Sequence, residues 1–250
     1  MKTEVLRTKK WFWSVSLVVI IALTAVFNVK GDYKEDLCNS IEIKIQQPEE
    51  LPLISDENIL QWILPRKLVG ERLDKIELSK VEQKIREMPQ IKNCEMHIDL
   101  RGVLTIDVEP FLPLARILLD GAPDYYVSDD GTFFPTSSNY TARVILLSGD
   151  YFMNKTSMTD NKSVNLLSFL KHVNGDAFWK AQLTQVTVDN QENMYIVPLL
   201  GEHIINFGNP DEVVAKLRRL KVFYKQIYPV KGWDSFSEVS IAYANQVVCK

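Results

Sequence analysis

Chemistry in a protein needs groups that ionise, ligate or attack, held at fixed spacing, and this chain offers few of them. Its three histidines, His97, His172 and His203, are scattered without ligand spacing. His97 falls in an alternating segment, where a structural role is expected. Asp129-Asp130 is an acidic pair of the kind that can hold a cation, but Gly131 follows directly, and turn residues are the better reading. Lys216, Arg218, Arg219 and Lys221 could bind an anion; late in a helix they read instead as a solvated face complementing its negative end. GxSxG, HExxH, CxxC and Gly-rich phosphate loops are all missing. Cys38, Cys94 and Cys249 are odd in number and widely spaced, so neither a disulfide framework nor a zinc site is expected. Buried or incidental thiols are the simpler reading, and the sequence selects no bridged pair. No catalytic residues, cofactor or metal ligands are expected, and the chain reads as a binding protein.

The element that positions everything else is the run at residues 11–29, WFWSVSLVVIIALTAVFNV. As a helix rising ~1.5 Å per residue it covers roughly the ~30 Å hydrocarbon core of a bilayer. Val18, Ile20, Leu23 and Phe27 supply its lipid-facing bulk, and Trp11, Phe12 and Trp13 stand where an interfacial aromatic belt is expected. Lys2, Arg7, Lys9 and Lys10 precede it against one acid, Glu4, which keeps a ten-residue tail (1–10) cytoplasmic. A cleaved secretory signal would have a shorter apolar core and a small-residue cleavage site, neither of which is evident, so an uncleaved anchor is expected. Beyond it, residues 31–250 hold 24 Lys and Arg against 31 Asp and Glu, a net charge of −7. That acidity argues against nucleic acid or an anionic membrane surface as a partner.

After a polar linker (30–40), Ile41, Ile43 and Ile45 alternate as a half-buried strand. Ser55 can cap a helix with Asp56 and Glu57 in its first turn, its apolar face Ile59, Leu60, Ile63 and Leu64, and Pro65 at its end. Ser79-Lys80-Val81-Glu82 reads as a capping box opening a second helix. A strand follows from Ile91 with Cys94, Met96, Ile98 and Leu100 on one face, then a turn at Arg101-Gly102 and a return strand with Leu104, Ile106 and Val108. The order is β-α-α-β-β. From residue 118 the pattern turns mostly to strands: a hairpin about Ser128-Asp129-Asp130-Gly131, a strand at 143–147, a helix at 163–173, and strands at 183–188, 194–199 and 202–207. A helix is expected from Asn209 as N-cap and Pro210 as first residue, with the stripe Val213, Val214, Leu217, Leu220, Phe223, Tyr224 and Ile227, ending at Pro229. One last strand is expected at 238–248, carrying Val239, Ile241 and Tyr243 on one face. It either completes the core or lies at a sheet edge, where unpaired backbone groups could take a partner strand.

The β-α-α-β-β order just outside a single anchor resembles a POTRA domain. The resemblance is carried by Leu78-Ser79-Lys80-Val81-Glu82-Gln83-Lys84-Ile85, Ile91, and the run from Ile98-Asp99-Leu100-Arg101-Gly102 through Ile106-Asp107-Val108-Glu109-Pro110. Followed by Tyr126-Val127-Ser128-Asp129-Asp130-Gly131, then Lys216-Leu217-Arg218-Arg219-Leu220-Lys221-Val222-Phe223-Tyr224, Gly232-Trp233 and Tyr243-Ala244-Asn245-Gln246-Val247-Val248-Cys249-Lys250, the chain resembles the FtsQ/DivIB family of bacterial division proteins over nearly its whole length. The resemblance implies an α+β protein: a transmembrane helix (11–29), a POTRA-like domain (41–117), and a mostly antiparallel β domain with two helices (118–250). It implies a non-enzymatic septal scaffold in the inner membrane, N-terminus cytoplasmic and domains periplasmic. Its partners would be the bitopic division proteins FtsB and FtsL, with no small-molecule substrate. The implied partner surface is Leu217, Leu220 and Tyr224 on the helix with Val239, Ile241, Tyr243, Asn245 and Val247 on the strand, an FtsB segment adding as a further strand. The short cytoplasmic tail leaves little for docking on that side. Two other readings stand beside it. A membrane-anchored luminal enzyme such as a glycosyltransferase fits the anchor and the sequons at Asn139, Asn154 and Asn161, but lacks an Asp-x-Asp motif. A POTRA-bearing outer-membrane factor would need a barrel, for which 118–250 holds too few strands.

Overall fold

The alternation at Ile41, Ile43 and Ile45 forms β1 (Ser40–Ile45), a strand that lies parallel to β3 (Val103–Pro110). Between them run α1 (Asp56–Ile63), α2 (Leu78–Arg86) and β2 (Ile91–Ile98), so the observed order is the expected β-α-α-β-β. The three strands lie in the order β1-β3-β2, with β2 antiparallel to β3. Leu104, Ile106 and Val108 of β3 are fully buried against Ile59 of α1 and Val81 and Ile85 of α2. The protein is represented by a computed structural model describing residues 37–63, 67–137, 140–232 and 235–250. The anchor at 11–29, with Trp11, Phe12, Trp13, Val18, Ile20, Leu23 and Phe27, lies outside the described residues, as do Leu64, Pro65, Asn139 and Trp233. Among the described residues no helix is long and apolar enough to cross a membrane.

Three local expectations in this domain are corrected. Ser79 does not cap α2, whose N-cap is Glu77 without a side-chain bond; Glu82 instead reaches across to accept from the Met96 amide at 2.8 Å. Leu60 is exposed, so the buried stripe of α1 narrows to Ile59 and Ile63. Leu100 does not continue the β2 face. It sits in the turn and is fully exposed, because the Asp99 carboxylate accepts from the Arg101 and Val103 amides and closes the chain there.

The second sheet starts at β4 (Pro113–Ile117). It continues through β5 (Tyr125–Ser128), β6 (Phe133–Pro135), β7 (Ile145–Ser148), β8 (Leu183–Val188), β9 (Met194–Pro198), β10 (Ile204–Gly208), β11 (Glu238–Ser240) and β12 (Val248–Cys249). The spatial order is β12-β11-β10-β9-β8-β7-β4-β5-β6. Pairing is mostly antiparallel, as expected, but the sheet is mixed: β4–β7, β7–β8 and β10–β11 are parallel. Among the described residues four helices accompany it, not two: α3 (Val164–Gly175), α4 (Ala177–Gln182), α5 (Val213–Gln226) and the short α6 (Tyr228–Lys231). They are needed because a parallel neighbour requires a crossover, which α3 and α4 provide between β7 and β8. Phe169, Leu170, Trp179, Leu217 and Leu220 form one core with the inward residues of the sheet, Ile117, Leu147, Val186, Ile196 and Ile205. Successive strand residues face opposite ways. Thus Val127 of β5 enters this core while Tyr126 and Phe134 enter the core of the first domain. Phe134 stacks on Phe111 at 5.5 Å between centroids, and the Tyr126 hydroxyl accepts from the Ala142 amide at 2.9 Å. The first domain therefore covers the β5–β6 end of the large sheet, leaving β12 as the outermost described strand at the other end.

Candidate docking edge at the C-terminal strands

At that end, α5 packs over β10 and β11. Val213, Lys216, Leu217, Leu220, Phe223 and Tyr224 recur at three- and four-residue spacing and form its buried face. Val214 and Ile227 of the expected stripe are exposed. The helix begins at Val213, not Pro210. Lys216, only 4% exposed, turns back to donate to the Asn209 carbonyl at 2.7 Å and pairs with Asp211, holding 209–212 as a loop. Glu212 then adopts φ 44°, which no right-handed helix accommodates. The expectation of a solvated basic face therefore fails at Lys216, whose ammonium also lies 5.1 Å from the centre of the Phe207 ring. The spacing signal was present, since 216 is three beyond 213 and four before 220. Pro229 does not end α5; it lies in the first turn of α6, where a missing N–H costs nothing.

The expected strand at 238–248 is divided in two. Arg219 Nη2 donates to the carbonyls of Ile241 (3.2 Å) and Tyr243 (3.3 Å), drawing the chain toward α5. Gly208, at φ 68°, admits Ala242 closely: a Cβ there would stand 2.8 Å from the Ala242 Cβ. Asn245 then takes φ 59° and the chain reverses into β12, antiparallel to β11.

This placement sorts the eight residues implied as a partner surface. Leu217, Leu220, Tyr224, Val239 and Ile241 are buried in the core, the last two completely, so in this conformation they offer a partner nothing directly. They hold the platform. Tyr243 is 57% exposed, Asn245 is exposed and Val247 is half-buried. Sequence reasoning missed Arg219 as the clamp and Val222, Phe236 and Cys249 as surface; all three line a groove of about 580 Å³ between α5 and the 245–249 segment, with Phe223, Ile227 and Val247. Beside it runs the backbone of β12. Lys250 N donates to Glu238 O at 3.0 Å and Glu238 N to Lys250 O at 3.4 Å, so these two residues form a hydrogen-bonded pair. Val239 and Cys249 are the next pair in register. In an antiparallel ladder such pairs alternate, so the Cys249 N–H and C=O point away from β11. The edge is closed at its end by Lys250 Nζ donating to Glu238 Oε2 at 2.8 Å, which holds the Glu238 carboxyl below its usual range.

Behind the platform, His203 Nε2 and the Tyr224 hydroxyl share a 3.0 Å hydrogen bond whose donor is set by the imidazole tautomer. His203 is 1% exposed and its Nδ1 has no hydrogen-bond partner among the described residues; burial pushes its pKa below 6.5. The folded state thus keeps it neutral where the unfolded chain would protonate. Stability from this contact is complete above about 6.5, falls as pH drops from there, and is fully lost below the depressed folded value. The thermal midpoint should drop between pH 7.5 and 5.5 more steeply in the wild type than in His203→Gln; equal slopes would contradict it.

No catalytic set converges here or elsewhere among the described residues. Asp130 Oδ1 is engaged by Ser128 Oγ (2.5 Å) and the Thr132 amide (3.0 Å), the turn role expected of it, and Gly131 has φ 87°. Cys38 and Cys94 are buried free thiols, and burial pushes Cys94 up to about 11, far from a reactive thiolate. Among the described residues no group of three His, Cys, Asp or Glu is placed to hold a metal ion.

Residues 112–250 match the family model described as FtsQ/DivIB, C-terminal related, and residues 36–109 match a POTRA-like domain. No curated protein matches the chain at a significant level.

Proposed function

The chain belongs to the FtsQ/DivIB family, and on that premise we propose that it is a non-enzymatic, bitopic scaffold of the division septum that receives a partner strand on β12. Membership of this family makes it a division-septum protein whose partners are other division proteins. The finer reading is that these are FtsB- and FtsL-like bitopic proteins, met in the periplasm, with the chain held in the inner membrane by residues 11–29 and its N-terminus cytoplasmic. One observation carries it: a strand end with outward Cys249 backbone groups lies directly beside an apolar groove. Backbone pairing supplies affinity and the groove selects side chains, which is how strand addition works. An anchor raises the local concentration of anchored partners without any new contact. No observation favours the luminal-enzyme reading.

The test is co-purification. Full-length chain should localise to the septum and recover an FtsB-like partner, and a chain lacking residues 248–250 should lose that partner while keeping its circular dichroism spectrum. Undiminished recovery by the truncated, folded chain would sink the edge assignment.

A further inference from the structure

We propose that the turn at residues 99–102, with the neighbouring loop at 67–72, is a membrane-contacting tip that seats the first domain on the bilayer surface through Leu100 and Val69. The inference rests on reading 11–29 as a membrane-spanning helix, and goes beyond it. Only seven residues separate Val29 from Leu37, the first described residue. An extended chain spans at most ~3.5 Å per residue, so Leu37 stands within about 28 Å of the bilayer.

The fold decides which end of the domain is held there. Leu37 bridges to Arg72, the Asn39 amide donates to Gly102 O at 2.8 Å, and the Gly70 amide donates to Cys38 O at 2.8 Å. The chain therefore enters between the 99–102 turn and the 67–72 loop, and both face the membrane with it. Leu100 is the most exposed large apolar side chain described, at 108%, and Val69 is 44% exposed. Water is a poor solvent for either, and a bilayer interface is a good one.

The turn is built to present the leucine. The Asp99 carboxylate accepts from the Arg101 and Val103 amides, each at 2.9 Å, and from Arg101 Nε at 2.8 Å, while the Gly102 amide donates to Asp99 O at 3.0 Å. Gly102 is required at φ 75°, where a Cβ would stand 2.3 Å from Leu37 O. Little flexibility is lost on contact. Two acids at this end are paired, Asp99 with Arg101 and Asp74 with Arg72 at 3.0 Å.

The experiment uses full-length chain in vesicles of phosphatidylethanolamine and phosphatidylglycerol, with Cys249→Ser leaving only buried native thiols. An environment-sensitive fluorophore is placed at Leu100→Cys or, as control, at Glu49→Cys in the turn beyond the opposite end of β1. Spin-labelled lipid should quench the probe at 100 several-fold more than at 49, and the quenching should weaken with Arg101→Glu. Equal quenching at both positions, in protein that resists alkaline extraction, would overturn the tip while leaving the anchor standing. Extraction of the protein by alkali would overturn the anchor, and the tip with it. Shielding of position 100 only on adding a division partner, never by lipid, would replace the bilayer with a protein surface.

Discussion

Ile241→Asp should unfold the C-terminal domain rather than trim its binding surface. Ile241 is completely buried in the core formed by α5 and the sheet, and its amide donates to Asn206 O at 2.9 Å. The substitution removes a buried branched side chain and places a carboxylate in an apolar core, costing about 4–5 kcal/mol. Domains of this size are stable by only about 5–15 kcal/mol, so most of that reserve goes. The readout is the denaturant midpoint of the full chain. A midpoint equal to wild type would show that Ile241 is not core. Tyr243→Asp, two residues on and 57% exposed, should shift it by less than about 0.5 kcal/mol. The contrast matters for any mutational map of this edge: loss of a partner in Ile241 or Val239 variants reports the platform, whereas loss in Tyr243 or Val247 variants reports contact.

Cys249→Pro should weaken partner binding by at least about tenfold, the equivalent of ~1.4 kcal/mol, while the domain stays folded. The Cys249 backbone groups face away from β11, so proline removes a donor that only an added strand would use. The inward bonds, between Lys250 and Glu238, are untouched. Cys249→Ala controls for the thiol, which packs on the core beneath. Titration calorimetry with an FtsB-like periplasmic segment gives the affinity. Equal affinity for the proline and alanine variants would mean the partner uses the groove beside α5 and not the strand, leaving Val222, Phe236 and Ile227 as the surface to map.

Much of the first domain was readable in advance because its signals are local. Alternation at Ile41, Ile43 and Ile45 and the helical spacing of Val81, Ile85 and Met88 each reflect one element with one buried side, and all three strands and both helices stand where expected. The misreadings share a cause. Ser79-Lys80-Val81-Glu82 has a capping box's composition, yet Glu82 serves a strand amide on β2 fourteen residues away. Asn209-Pro210 has a helix start's composition, yet a lysine six residues later holds the segment open. In each, a long side chain found a partner that no local pattern encodes.

Residue types and their periods determined by themselves that this chain carries a membrane-length apolar run, a β-α-α-β-β unit and a β-rich second unit. Those follow from hydropathy and spacing, which act over a few residues. Tertiary structure alone decided which described strand is outermost, that 238–248 breaks into two strands with a reversal between, and that five of the eight implied contact residues are buried. A buried residue and a contact residue can have the same composition and the same period; what separates them is whether another element covers them. Here that is settled by one guanidinium, Arg219, holding two carbonyls more than twenty residues away.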